Sequence, residues 1–264
     1  MSRLALVIPC FNEEYRLPVD ELRRFSVPGL DLELVLVNDG SGDGTLRLLE
    51  SLHEEQPERF TVVNLAQNSG KAEAVRQGVL AALDLCHPER SEGPGRTGGA
   101  TKPDYVGFWD ADLATPLTEL PPFVEILDAR PAVQMVMGAR VRLLGRDISR
   151  HASRHYFGRV GATLISQTLK LAVYDTQCGA KLFRATGDTR HVFSTPFLSR
   201  WIFDVEIIAR YVRLWGRDAA ARSIVEYPVR AWHDVKGSKL KSHDFARALR
   251  DLWRIRRAYK MKRT

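Results

Sequence analysis

Tyr105-Val106-Gly107-Phe108-Trp109-Asp110-Ala111-Asp112-Leu113 decides how this chain is read. Its first five residues are apolar and aromatic, the composition of a buried strand. The run then ends abruptly in two carboxylates. Residues two apart on an extended strand point to the same side. Two like charges side by side repel, and burying them is costly unless a cation lies between them. A hard divalent cation with oxygen ligands fits that need, and such ions often take substrate phosphates as further ligands. The same letters also read as a strand end followed by a helix capped by Asp112 or Thr115.

Working outward, Leu4–Pro9, Leu32–Val37, Phe60–Leu65 and Val133–Met137 are further apolar strand-like runs. Helical patterns separate them at about 18–26, 44–56, 70–85 and 117–129. Strands alternating with helices predict βαβ units, and hence an α/β fold with a mostly parallel central sheet flanked by helices. In such sheets ligands bind beyond the carboxyl ends of the strands. Polar residues gather at four of those ends: Asn12-Glu13-Glu14, Asn38-Asp39-Gly40-Ser41, Asn68-Ser69-Gly70-Lys71 and Asp110-Ala111-Asp112. Residues 86–103 are rich in Gly and Pro without periodicity, which predicts a flexible surface insertion. Further on, His155–Val173 has apolar residues at roughly helical spacing. Arg200–Leu214 reads as a helix and Ser223–Val229 as a strand. Phe245–Tyr259 reads as a basic amphipathic helix with Phe245, Leu249, Leu252 and Trp253 on one face. These patterns predict one α/β domain over 1–240 and a basic amphipathic C-terminal helix over 241–264.

Composition narrows the class. With 264 residues, 44% hydrophobic and 27% charged, the chain has enough apolar material for a soluble globular core. No apolar run approaches the roughly 20 residues that span a bilayer. Met1-Ser2-Arg3 leads straight into a strand, which reads as no signal peptide. Cys10, Cys86 and Cys178 are odd in number and form no zinc spacing. Reduced thiols and a cytoplasmic setting follow. From Lys236 to Thr264 there are eleven Lys and Arg against Asp244 and Asp251, more than the whole net excess of +7. That tail suits an anionic membrane surface or a phosphorylated substrate. The rest of the chain is net acidic, so nucleic acid is not an expected partner.

The glycines of Asn38-Asp39-Gly40-Ser41-Gly42-Asp43-Gly44-Thr45 permit left-handed backbone and close ligand approach. Their spacing matches neither a dinucleotide fingerprint nor a phosphate-loop motif, so the alternative is a plain strand-turn-helix connection. Asp43 or Thr45 suits the cap of the next helix. Asn68-Ser69-Gly70-Lys71 opens a helix, where backbone N–H groups favour anions.

Val7-Ile8-Pro9-Cys10-Phe11-Asn12-Glu13-Glu14, Val37-Asn38-Asp39-Gly40-Ser41, Asn68-Ser69-Gly70-Lys71 and Asp110-Ala111-Asp112 together resemble the successive nucleotide-sugar motifs of family-2 glycosyltransferases with the GT-A fold. Asp175-Thr176-Gln177-Cys178-Gly179-Ala180-Lys181-Leu182-Phe183, Arg200–Glu206 and Gly237-Ser238-Lys239-Leu240 resemble the dolichyl-phosphate β-glucosyltransferase branch. Eukaryotic members of that branch carry an N-terminal membrane segment, and some bacterial relatives carry C-terminal ones. Neither pattern occurs in these 264 residues.

The resemblance implies an inverting, metal-dependent transfer of glucose from UDP-glucose to a polyprenyl phosphate. It implies a peripheral position on the membrane and Mg²⁺ or Mn²⁺ as cofactor. Pro9, Asn12, Glu13, Gly70 and Lys71 would line the nucleotide pocket. Asp39 would read uracil or ribose, Asp110 ribose or sugar, and Gln177 would wall the sugar pocket. Asp112 would be the metal ligand. Asp204 matches the general base of many inverting relatives, or else it is a helix residue paired with Arg200 one turn earlier. A phosphate acceptor has a second pKa near 6, so it needs a cationic cradle more than a base. Arg140, Arg200, Lys236 and Lys239 are the cradle candidates. Trp201 suits core packing, and Trp232 suits either core or ligand. Helix 245–259 suits a membrane surface, or equally packing against the domain with its basic face in water. The rival readings are the same fold with GDP-mannose or a soluble acceptor, and a non-catalytic nucleotide-sugar or lipid-phosphate binding protein.

Overall fold

The computed structural model describes residues 2–84, 102–149, 152–233 and 242–259. The insertion expected at 86–103 lies almost wholly outside the described residues, as do Lys236 and Lys239. The chain forms two compact units, Met1–Leu113 with Leu182–Pro196, and Ala114–Lys181 with Phe197–Thr264. Packing thus divides the chain inside the span 1–240, and the C-terminal helix belongs to the second unit.

The first unit starts as a regular alternation: β1 (Ser2–Cys10), α1 (Val19–Arg24), β2 (Leu30–Asp39), α2 (Thr45–Glu55), β3 (Phe60–Leu65), α3 (Lys71–Asp84) and β4 (Tyr105–Trp109). The second unit then supplies a 3-10 turn (Leu117–Glu119), α4 (Leu120–Ala129), β5 (Met135–Ala139), β6 (Asp147–Ser149) and α5 (Ala152–Leu169). Strand β7 (Ala180–Arg184) begins in the second unit and ends in the first, where α6 (Gly187–Phe193) follows. The second unit closes with α7 (Phe203–Trp215), α8 (Arg217–Ser223), β8 (Ile224–Pro228), β9 (Ala231–His233) and α9 (Ser242–Ala258).

Within the first unit the sheet runs β3-β2-β1-β4-β7, and within the second β7-β5-β8. β1 pairs in parallel with β2 and β4, β2 with β3, and β5 with β8. Leu4 to Ile8 are buried in succession, so both faces of β1 are covered, as expected of a central parallel strand. Helix α3 covers one face with Ala72, Ala74, Val75, Gly78 and Val79. A Cβ on Gly78 would strike the side chains of Val7 and Val37, so this helix lies directly on β1 and β2. The α/β class read from the sequence is the class observed.

Most boundaries match within two residues, and three differences have local causes. β5 starts two residues late because Val133 N–H bonds Arg130 O and Gln134 N–H bonds Ser223 O before the ladder begins. α7 starts at Phe203 rather than Arg200, because Ser199 Oγ accepts the N–H groups of Trp201 and Ile202 and holds a turn there. Neither Asp112 nor Thr115 caps the next helix. The 3-10 turn follows Pro116 without a side-chain cap, and α4 starts after Glu119. The sequence reading missed α6, α8 and the short parallel pair β6–β9, in which Ile148 and Trp232 are buried.

Candidate active site

The first unit brings all four polar strand ends into one bonded rim. After β1, Asn12 takes a left-handed conformation, φ 53°. Its N–H donates to Ser41 Oγ at 3.1 Å, and its Oδ1 accepts Gly42 N–H at 2.9 Å. Glu13 N–H donates to Thr45 Oγ1 at 2.8 Å, and the Glu14 carboxylate accepts Gly44 N–H at 3.0 Å. The loops after β1 and β2 are therefore stitched together. Asp43 accepts Thr45 N–H and hydroxyl, and the hydroxyl holds the Asp43 carboxyl below its usual range.

Asp39 joins the second loop to the third. Its two oxygens accept Ser69 N–H at 2.7 Å and Gly70 N–H at 2.8 Å. The anion expected at the start of α3 is thus supplied in part by the chain itself. Gly40 has φ 61°, and a Cβ there would collide with the backbone of Gln67 and Asn68. Close loop packing and a left-handed backbone both require glycine at this point. Lys71, the first residue of α3, forms an ion pair with Asp110 at the fourth strand end.

That ion pair separates the two carboxylates with which the reading began. Asp110 is engaged by Lys71, whereas Asp112 is exposed. Half-buried Glu13 lies within reach of the Asp112 charge. Burial raises the Glu13 carboxyl above its usual range, Arg16 at 2.8 Å opposes this, and Asp112 and Asp43 add to the rise. Glu13 Oε2 is buried without a hydrogen-bond partner among the described residues. An orphaned carboxylate oxygen beside a second carboxylate fits a hard cation. No group of three or more His, Cys, Asp or Glu suited to a metal occurs among the described residues. Pro9 is half-buried at the end of β1, paired across the ladder with Val37. The Cys10 thiol is buried and shifted upward by desolvation, which leaves it inert.

The second unit handles its charges differently. Asp204, in the first turn of α7, accepts from Lys181 Nζ at 2.5 Å and from Gln177 Nε2 at 3.5 Å. Lys181 is 0% exposed and also donates to Cys178 O at 2.5 Å. The pairing of Asp204 with Arg200 allowed by the sequence is therefore replaced by a pairing with Lys181, and Arg200 is exposed. Arg140 grips Asp175 with Nε and Nη2 at 2.7 and 2.8 Å, and its guanidinium stands 5.3 Å from the centre of the Trp232 ring. Glu226 in turn accepts the N–H groups of Tyr174 and Asp175, and burial raises its carboxyl above the usual range. Cys178 is buried with its thiol pushed upward by desolvation, which excludes it as a nucleophile.

One aromatic expectation changes: Trp201 is 38% exposed rather than packed in the core. On α9, Leu252 is buried with Ile255, while Leu249 and Trp253 are exposed, so only one edge of the apolar stripe is covered. Phe245's side chain lies outside the described residues. The helix is fastened by Asp251 to Ser199 Oγ at 2.8 Å, and its neighbour Tyr259 bonds Glu206 at 2.7 Å. The Tyr259 hydroxyl is pushed up to about 12 by burial and by Glu206. Lys181, Asp175 and Glu226 escaped the sequence reading as a charge network. One signal was there: a lysine inside the apolar run Ala180–Phe183 must find a partner once buried.

Comparison with known proteins now bears on this geometry. Residues 5–84 match the model of the family described as Glycosyl transferase family 2. A dolichyl-phosphate beta-glucosyltransferase of Dictyostelium discoideum is 31% identical, covering 97% of this chain and 74% of that protein. The chain belongs to this glycosyltransferase family. A Drosophila melanogaster protein of the same name is 32% identical over 90% of this chain and 69% of its own length. Among solved structures, glucosyl-3-phosphoglycerate synthase from Mycobacterium tuberculosis, in complex with Mn²⁺, UDP-glucose and phosphoglyceric acid, has a TM-score of 0.63 at 20% identity. That match covers 98% of this chain and 79% of the other. It establishes the fold as the GT-A type. The family-2 resemblance read from the strand-end motifs is thereby borne out.

Proposed function

We propose that this glycosyltransferase moves glucose from UDP-glucose to a dolichyl-type polyprenyl phosphate, with inversion and with Mn²⁺ or Mg²⁺ as cofactor. The observation that carries the donor side is the bonded rim of four strand ends in the first unit. The relatives' shared name supports the acceptor, and the solved neighbour that holds UDP-glucose and Mn²⁺ supports the donor and the metal.

Asp112 holds the cation, with Glu13 beside it. When bound, the cation supplies charge neutralisation for the departing diphosphate. Pro9, Asn12 and Gly70 wall the nucleotide. Asp39 spends one interaction per oxygen on the α3 turn and keeps further lone pairs for a base or ribose donor. Lys71 bridges from Asp110 toward phosphate. A cation beside Glu13 would offset the burial that chiefly raises its carboxyl and the smaller repulsion from Asp112 and Asp43.

On the acceptor side, the phosphate monoester is already an oxyanion at neutral pH. No proton has to be removed for it to attack. Asp204 therefore acts by orientation, fixing Gln177 and Lys181 rather than taking a proton. Arg140 and Arg200 provide cationic character for the acceptor, Arg140 with its direction set by Asp175 and Trp232. Helix α9, with Arg250, Arg254, Arg256 and Arg257 around outward-facing Leu249 and Trp253, gives the chain a peripheral hold on an anionic membrane.

The test is a panel of UDP- and GDP-sugars against polyprenyl phosphate and soluble phosphate acceptors, with Mn²⁺, Mg²⁺ or chelator. The expected product is a lipid-linked β-glucosyl phosphate formed only with UDP-glucose and divalent metal. Transfer confined to soluble acceptors would remove the lipid reading, and a preference for GDP-mannose would remove the donor assignment.

A further inference from the structure

The connection from β5 to β6 carries two leucines in the open. Leu143 is 50% exposed and Leu144 is 105% exposed, as open to water as in an unfolded chain. Single exposed apolar residues are ordinary, but two adjacent ones at a loop tip flanked by arginines are not scattered noise. Arg142 precedes them, and Arg146 follows across Gly145.

The tip is not slack. Arg146 N–H donates to Leu143 O at 3.2 Å and closes a turn, and Gly145 has φ 77°, which suits glycine. Arg142 Nε reaches Ile148 O at 3.3 Å. On the incoming side Arg140 is clamped by Asp175. On the outgoing side Asp147 N–H bonds Arg230 O at 2.8 Å, Ile148 is buried, and β6 pairs with β9. Both stems are anchored, so the turn holds its leucines away from the protein.

We propose that Leu143-Leu144 is a membrane-inserting tip, with Arg142 and Arg146 placed to meet anionic headgroups. Apolar tip and cationic flanks together fit an anionic lipid surface: the side chains enter the acyl boundary while the guanidinium groups stay at headgroup level. Exposed Asp147, next to Arg146 in the chain, faces His233 at 3.9 Å. Helix α9 shows the same mixture of outward apolar and arginine side chains on a separate element of the second unit. This inference rests on the lipid-acceptor reading and names the element that brings the enzyme to that acceptor.

The experiment uses the full chain. Flotation with phosphatidylcholine vesicles, with and without phosphatidylglycerol, compares wild type with Leu143→Ser/Leu144→Ser and with Arg142→Gln/Arg146→Gln. Wild type is expected to float with anionic vesicles. Each double variant is expected to bind them at least tenfold more weakly. Transfer to a short, water-soluble prenyl phosphate should be unchanged, while transfer to long-chain acceptor in vesicles falls with binding. Unaltered flotation of both variants overturns the proposal, as does wild-type flotation that ignores lipid charge. Failure of the function reading looks different: no prenyl phosphate of any length is glucosylated, whatever the vesicles do.

Discussion

The two units satisfy several of their carboxylates in different ways. In the first, backbone N–H groups take Asp39 and Glu14, Lys71 pairs with Asp110, and Asp112 stays at the surface. In the second, Lys181 pairs with Asp204, Arg140 with Asp175 and Arg210 with Glu206, while backbone N–H groups take Glu226. Backbone amides fix a carboxylate's position without neutralising it by a full charge. A rim built that way keeps its capacity for a cation and for phosphates. In the second unit the Lys181–Asp204 and Arg210–Glu206 pairs are internally balanced and fix geometry, while Asp175 sets the direction of Arg140. Selective change on each side should separate these two uses.

The largest effect is expected from Asp112→Ala. Metal-dependent turnover should fall on the order of 10³-fold while the melting temperature hardly moves, since the side chain is exposed. Steady-state kinetics across a Mn²⁺ titration, with a thermal melt alongside, checks both halves.

Next comes Lys181→Met, which strands buried Asp204. Removing one partner of a buried pair costs about 3–5 kcal/mol, read from urea unfolding. The double variant Lys181→Met/Asp204→Asn should recover most of that stability but not the transfer rate. If the rate recovers as well, the pair is only structural.

Asp39→Ala releases two backbone N–H groups, Ser69 and Gly70. Ser69 and Gly70 are half-buried, so water takes up part of the loss and each group costs at most about 1–3 kcal/mol. Weaker UDP binding by calorimetry should accompany the loss of stability, because the same turn starts α3.

The smallest expected effect is the pH dependence of Glu13. Its carboxyl is raised in the fold, so the neutral form is favoured there. The stability it contributes is full below the ordinary glutamate range and is lost as pH rises through the raised value. Glu13→Gln should therefore gain on wild type as pH increases, seen as a growing difference in urea midpoint. Asp112→Asn should shrink that difference, since the Asp112 charge adds to the rise.

The same contrast explains what could be read in advance. The sheet was legible because apolar runs and helix periods are local, and parallel strands buried on both faces leave continuous apolar letters. The rim was legible because each loop follows its strand directly, and four such loops in one parallel sheet end on one edge. The sequence reading assigns Asp112 to a metal and Asp110 to ribose or sugar, and it does not contain the ion pair of Asp110 with Lys71, a residue it places by the nucleotide. The second unit was less legible. Asp204 meets Lys181 across 23 positions, and Arg140 meets Asp175 across 35, with no local pattern to announce either. Arg200, one turn from Asp204, was the partner that helical spacing suggested, but α7 begins only at Phe203. Which of Leu249, Leu252 and Trp253 on α9 is covered was not legible for a related reason: it depends on packing against α5 and α7.

One measurement tests the central claim most directly. Wild type and Asp112→Ala are incubated with radiolabelled UDP-glucose, polyprenyl phosphate and Mn²⁺, and the label is followed into the organic phase. Label should enter the lipid fraction with wild type alone, and chelator should abolish it. No lipid-borne label with wild type, or equal label with both proteins, would contradict the account.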